Sequence, residues 1–164
     1  MSDAELDQVA AWLLREDPRG ERFAIVLRKT LDQLYDGQHT GRYRWAQLYK
    51  TEKTHCGSLV EINLQRAFRF DNGERMDYRI AGFEVDCKYS QTLGRWMIPR
   101  EAVGHLCLLV WADDQQSKWS VGLIRIDKRF LNKGNQDLKR TINSAGCTRI
   151  RWLFNEKSLP PNGP

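Results

Sequence analysis

No hydrophobic run in this 164-residue chain is long enough to cross a bilayer. The longest unbroken apolar segment extends only from Leu106 to Ala112, whereas a membrane-spanning helix needs about 20 such residues. The N-terminus carries Asp3, Glu5 and Asp7 where a secretory leader would place basic residues followed by an apolar stretch. Membrane insertion and secretion are therefore excluded as expectations, and a cytoplasmic protein is expected. Cysteine is also sparse: Cys56, Cys87, Cys107 and Cys147 are scattered with no C-x-x-C pair, and His39, His55 and His105 have no ligand spacing. Reduced, partly buried thiols fit this pattern ahead of disulfides or zinc. There is no internal repeat.

The composition is that of an ordinary soluble protein, with 41% hydrophobic and 29% charged residues, and the length suits one domain with a substantial core. The formal net charge of +5 is unevenly distributed. Residues 1–115 hold 16 Lys+Arg against 18 Asp+Glu, whereas 116–164 hold 10 against 3. A basic end beside an acidic region suits a protein that holds phosphates with one part and a metal with the other. A solvated basic tail has the same composition.

The most informative stretch is 76–90, MDYRIAGFEVDCKYS. Tyr78, Ile80, Phe83, Val85, Cys87 and Tyr89 alternate with Asp77, Arg79, Glu84, Asp86 and Lys88, and the period of two breaks once at Ala81-Gly82. Two half-buried strands joined by a two-residue turn follow from that pattern. The implied register sets Ile80 opposite Phe83, Arg79 opposite Glu84, Tyr78 opposite Val85 and Asp77 opposite Asp86. Facing aspartates repel at Cβ separations of roughly 5 Å, and a hard divalent cation between them would relieve the repulsion. Lys88 shares that face. The plainer alternative is an exposed hairpin face whose charges are merely solvated, and for a charged hairpin taken alone it is the commoner case.

The rest of the chain reads mainly as scaffold. Leu6, Val9, Ala10 and Leu13 mark a helix over 4–15, capped by Ser2 or Asp3. A second helix is expected from Asp17-Pro18, with Phe23, Leu27, Leu31, Leu34 and Tyr35 inward and Gly37 ending it. Residues 38–53 are polar, and Arg42, Tyr43, Arg44 and Trp45 interleave bases with aromatics, either to grip nucleic acid or to cover a buried tryptophan. A third helix is predicted over 58–68. Ser58 and Glu61 form a capping-box pattern there, so Glu61 reads first as a cap and second as an acid near the hairpin. Pro99 opens a short helix after a loop over 91–100. Runs at 105–111 and 119–126 suit central strands covered on both faces. Short helical pieces occupy 127–146, with Asn135 a cap and Lys139-Arg140 on a surface, and Arg149 and Arg151 alternate with Ile150 and Trp152 as on an edge strand.

Asp77, a spacer of eight residues and then Asp86-Cys87-Lys88 fits the loose D…(D/E)-x-K pattern of restriction-endonuclease-like nucleases. The surrounding text is more specific. LDQLYDG at 31–37, TGRYRW at 40–45, KTEKTHCG at 50–57, LVEINL at 59–64 and WADDQQ at 111–116 resemble the catalytic domain of the NaeI-type restriction endonucleases, over roughly residues 18–140.

That resemblance implies an α/β fold with a PD-(D/E)xK core, a mixed central sheet flanked by helices. It implies a single nuclease domain over 1–157, with N-terminal helices at 4–36, the catalytic hairpin at 76–90 and a basic C-terminal part at 116–157, followed by a flexible tail at 158–164. It further implies catalytic roles for Glu61, Asp77, Asp86 and Lys88. Magnesium, with manganese able to substitute, would be held by Asp77, Asp86 and the Cys87 backbone carbonyl, with Glu61 as a further ligand. The substrate implied is double-stranded DNA, cut to 5′-phosphate and 3′-hydroxyl ends by a homodimer in a bacterial cytoplasm. Arg42, Arg44, Arg95, Lys128 and Arg129 are the expected DNA contacts. The family continues into a second, DNA-binding domain and this sequence stops at Pro164. The resulting expectation is a minimal nuclease, or one whose missing half comes from a partner protein, with a partner-targeted nicking or modification-dependent nuclease, or silent DNA binding, as rival outcomes.

Overall fold

The computed structural model describes residues 3–36, 44–134 and 139–161, with Thr51 described by its backbone alone. Arg42, Gly37 and Asn135, with the roles expected of them, lie outside these residues. Helix α1 spans Ala4–Glu16, and Asp3 caps it by accepting the Leu6 N–H at 3.1 Å. Its buried stripe is Leu6, Val9, Ala10 and Leu13, as the spacing requires.

Helix α2 spans Glu21–Tyr35 and starts later than Asp17-Pro18 suggests. The chain first turns through Gly20, whose φ of +78° favours glycine and where a Cβ would stand 2.6 Å from the Trp119 ring. Asp17 still caps from outside the helix, accepting the N–H groups of Arg22 at 3.1 Å and Phe23 at 2.9 Å. Helix α3 spans Lys50–Phe68 and begins well before residue 58. Glu52 accepts the Tyr49 N–H at 2.9 Å and so supplies the start signal that Ser58 and Glu61 were expected to give. The earlier start extends the buried stripe of Val60, Leu64 and Phe68 back to Cys56. A short helical turn, α4, occupies Ser144–Cys147.

Six strands form one sheet in sequence order: β1 Asp71–Asn72, β2 Tyr78–Ile80, β3 Phe83–Ser90, β4 Leu106–Asp113, β5 Lys118–Arg125 and β6 Arg151–Ser158. The pairing is antiparallel except between β3 and β4, which run parallel. The sheet is thus mixed, as a restriction-endonuclease-like core requires. The apolar runs of β4 and β5 lie at its centre and are buried on both faces.

The three long helices cover one face, where Leu13, Phe23, Leu27, Val60 and Leu64 meet Tyr78, Val85, Leu108 and Val121. Irregular chain covers the other, setting Trp96, Ile98, Ala102, Ile142 and Ile150 against Cys107, Leu109, Trp111 and Ile124. Trp96, read from sequence as part of a loop, is buried and donates its indole N–H to the Val110 carbonyl at 2.9 Å.

The Arg28 guanidinium is buried and fastens α2 to the sheet, 2.7 Å from Asp114 and 2.8 Å from Asp32, and it also donates to the Pro160 carbonyl. The tail expected from residue 158 is docked as far as it is described. Leu159 is buried, and its N–H donates to the Ser117 carbonyl at 2.8 Å. Burial of one leucine and capture of one carbonyl by a buried arginine hold a segment whose prolines suggest fraying. Among the described residues, no helix is long and apolar enough to cross a membrane.

Candidate active site

The 76–90 hairpin forms in the expected register, with Ile80 opposite Phe83, Arg79 opposite Glu84 and Tyr78 opposite Val85. Its turn places both Ala81 (φ +54°) and Gly82 (φ +87°) in the left-handed region, the twist a two-residue hairpin prefers. The ladder stops at Tyr78, and the expected pairing of Asp77 with Asp86 does not form. Asp77 lies just before β2, and its Oδ2 accepts the Cys87 N–H from β3 at 2.8 Å. Two carboxylates directly opposite would have opposed continuation of the ladder, whereas a backbone donor compensates Asp77 where it stands. A residue's N–H and C=O leave the same edge of a strand. The Cys87 carbonyl therefore leaves β3 on the Asp77 side.

Asp86 pairs across the parallel ladder with Cys107 and points to the face covered by irregular chain. It is only 5% exposed. Its Oδ2 lies 3.3 Å from the Lys88 Nζ, close enough for an ion pair. That alignment does not make a hydrogen bond, and Oδ2 is the one buried side-chain oxygen or nitrogen among the described residues without a hydrogen-bond partner. A buried carboxylate oxygen in that state costs free energy unless something positive meets it.

Glu61 reaches the same place from α3. It sits well inside the helix and caps nothing, which leaves its carboxylate free to approach Asp77 within hydrogen-bonding reach. Tyr78 fixes that approach: its hydroxyl donates to the Glu61 backbone carbonyl at 2.5 Å. Sequence periodicity assigns Tyr78 to the core, where its ring indeed lies, but nothing in the pattern shows where the hydroxyl goes.

Burial and the hydrogen bond to Asp77 push Glu61 up to about 8 and Asp86 up to about 7, in the latter case against the pull of Lys88. Asp77 moves the other way. Burial opposes its ionisation, but hydrogen bonds from Glu61, Asp86 and the Cys87 amide, together with the Lys88 charge, hold it below the ordinary carboxylate range. Burial acts to lower Lys88, and Asp86 and Asp77 outweigh it, so the ammonium is held in its charged form. Three acids thus share protons around one ion-paired lysine, a state created by crowding more negative charge than one ammonium neutralises.

The Asp86 oxygen without a hydrogen-bond partner and these raised carboxyls are what a further cation would satisfy. Among the described residues, no three His, Cys, Asp or Glu side chains stand where they could jointly hold a metal ion. Glu61, Asp77 and Asp86 thus do not form a ready-made three-carboxylate cage in this arrangement. An ion would rest on Asp77 and Asp86, with the Cys87 carbonyl and waters completing its shell, and magnesium is commonly bound through one or two carboxylates.

The remaining candidates fall elsewhere. Glu84 serves the scaffold: the amides of Arg75 and Met76 donate to it at 2.6 and 3.0 Å, and Arg79 pairs with it at 3.4 Å. It therefore holds the loop that leads into Asp77. Arg44 and Arg95 are exposed. Arg129 is bound to Asp127 at 2.6 Å and lines a groove with α1, so its charge is already committed. Lys128 is exposed beside Arg100 and Arg140.

The family model described as restriction endonuclease NaeI matches residues 7–163. The type II restriction enzyme NaeI of Lentzea aerocolonigenes is 53% identical over 152 residues, covering 93% of this chain and 48% of that protein. The chain thus spans about half the length of the curated relative it matches. The match runs through both halves of the carboxylate site, α3 and the hairpin, and on that ground the chain belongs to the restriction endonuclease NaeI family.

Proposed function

We propose that this chain is a magnesium-dependent endonuclease that hydrolyses phosphodiester bonds in double-stranded DNA, leaving 5′-phosphate and 3′-hydroxyl ends. Type II restriction enzymes generally use a divalent metal. The observation that carries the reading is the buried Asp86 oxygen, which has no hydrogen-bond partner, beside Asp77 and Lys88. A protein that only bound DNA would gain nothing by facing phosphates with uncompensated acids.

Hydrolysis requires a water delivered in line with the leaving 3′-oxygen and neutralisation of the charge that builds on phosphorus. Asp77 and Asp86 would hold the magnesium ion, with the Cys87 carbonyl as a neutral oxygen, and the chemistry it would supply there is charge neutralisation at the scissile phosphate and a more acidic water. Lys88 is held as an ammonium by its two aspartates. It therefore acts on the pentacovalent phosphorus and the attacking water as a charge and hydrogen-bond donor, not as a base. Glu61, half-buried beside Asp77 with its carboxyl pushed up to about 8, orients the water, whose proton passes to solvent. Arg44 and Arg95 contact the duplex from exposed positions.

Cutting both strands of a palindrome is most simply done by a two-fold pair of chains, one active site per strand. Sedimentation showing a monomer on a cognate duplex at micromolar concentration would count against that pairing. Digestion of plasmid with magnesium tests the function itself. Linear fragments of fixed sizes support restriction, open circles point to a partner-targeted nicking enzyme, and an uncut but shifted plasmid overturns catalysis in favour of binding.

A further inference from the structure

A pocket of about 350 Å³ is lined by Arg100, Lys128 and Arg140 over a floor of Ile98, Val103 and Leu131, with no carboxylate among the described residues of its wall. The three cations come from three separate segments. Arg100 begins a 3-10 turn over Arg100–Ala102, Lys128 begins another over Lys128–Phe130, and Arg140 is locked opposite Ile98 by paired backbone hydrogen bonds of 2.8 and 2.9 Å. Several other arginines of the fold are matched to acids, among them Arg28 to Asp114, Arg125 to Asp3 and Glu5, Arg129 to Asp127 and Arg151 to Asp7. Among the described residues, none of the pocket's three cations has an ion-pair partner. Asp127, next in sequence to Lys128, is turned to Arg129 instead.

Three like charges around one apolar-floored pocket repel one another unless an anion sits among them. The placement indicates which anion. The Arg100 turn immediately precedes β4 and the Lys128 turn follows β5, and the pairing of Leu106 with Arg125 brings those strand ends together. Leu106 also pairs with Val85, next to Asp86, so pocket and carboxylates lie at the same end of the sheet. They share its face too, because Ile98 in the pocket floor and Met76, the neighbour of Asp77, belong to one hydrophobic cluster. Neighbouring strands lie about 5 Å apart, so β5 is roughly 10 Å from β3, a few nucleotide steps along a bound strand.

The geometry points to a phosphate-binding subsite formed by Arg100, Lys128 and Arg140, which takes a backbone phosphate of the DNA beyond the scissile one and packs the adjoining deoxyribose on Ile98, Val103 and Leu131. This rests on the nuclease reading above. Phosphate contacts of this kind hold register and carry no sequence information.

The test measures duplex binding without metal across a salt series, for wild type and for the triple variant Arg100→Gln, Lys128→Gln, Arg140→Gln. Each phosphate neutralised contributes about 0.9 to the slope of log K against log salt, so losing the one phosphate of this subsite should make the variant's slope shallower by roughly 1, with affinity falling alike on all sequences. The charge-keeping variant Arg100→Lys, Arg140→Lys should keep the wild-type slope, and equal thermal melts show that folding is intact. If wild type binds and cuts DNA while the triple variant keeps its slope, the subsite is overturned and the nuclease reading stands. If a free deoxynucleoside monophosphate raises the melting temperature of wild type and not of the triple variant, with slopes unchanged, the pocket holds free nucleotide and the DNA assignment is overturned. If wild type neither binds nor cuts a duplex, both readings fail.

Discussion

Removing the charge of Asp86 should stabilise the metal-free protein while destroying its response to magnesium. The carboxyl ionises near 3.8 in an unfolded chain, and burial and Asp77 push it up to about 7 in the fold. Between those values the folded state binds a proton that the unfolded state has released, so stability falls as pH rises through the window and the penalty is complete above it. Three pH units correspond to a ceiling of about 4 kcal/mol. Because Glu61 and Asp77 share the proton, and asparagine keeps the volume, the expected gain for Asp86→Asn is about 1–2 kcal/mol at pH 8. For a domain of this size that is a rise of roughly 2–8 °C in Tm. Calorimetry in EDTA should show the difference at pH 8 and its disappearance towards pH 4. Magnesium should then raise the wild-type Tm and leave the variant unmoved. A variant less stable than wild type at pH 8, or a difference that does not change with pH, would refute the reasoning that Asp86 is held uncompensated.

Ala81 stands at φ +54° in the hairpin turn, a conformation costing an alanine roughly 1–2 kcal/mol. Ala81→Asn should therefore stabilise by about 0.5–1 kcal/mol, read from the urea midpoint at unchanged m-value. Tyr78→Phe deletes the hydroxyl that grips the Glu61 carbonyl; the expected cost is about 1 kcal/mol in stability, with a fall in single-turnover cleavage at unchanged duplex affinity. Arg28→Ala strands Asp114 in a largely buried site, and a loss of about 3–5 kcal/mol is expected on chemical denaturation. A loss below about 1 kcal/mol would mean that the Arg28 contacts contribute little to holding α2 against the sheet.

The hairpin was legible because two local signals agree: a period of two on both sides of a break, and a glycine at the break. The centre of the sheet was legible because strands covered on both faces, as β4 and β5 are, must be apolar throughout. The start of α3 was not, since Ser58 and Glu61 imitate a helix start inside a longer helix and the working signal, Glu52 on the Tyr49 amide, lies among polar residues. The second cover of the sheet was also hidden, because 91–105, 126–134 and 139–150 bury Trp96, Ile98 and Ile142 from largely irregular backbone with no periodicity to read. Within the site, the types and spacing of Asp77, Asp86 and Lys88 were visible in the text. The departure of Asp77 from the ladder to the Cys87 amide depends on repulsion between strands in three dimensions. Arg140 was read only as a surface residue and Arg100 not at all, because their convergence with Lys128 is produced by the isolated bridge between Ile98 and Arg140, which no local pattern announces.

The central claim is that Asp77, Asp86 and Lys88 form a metal-dependent centre that cleaves DNA. Single-turnover cleavage of a bound duplex at saturating magnesium, comparing wild type with Lys88→Gln and Asp86→Asn while duplex affinity is measured in parallel, tests it most directly. The account predicts a rate at least about a hundredfold lower for each variant with binding retained. Cleavage by either variant within tenfold of wild type would contradict it.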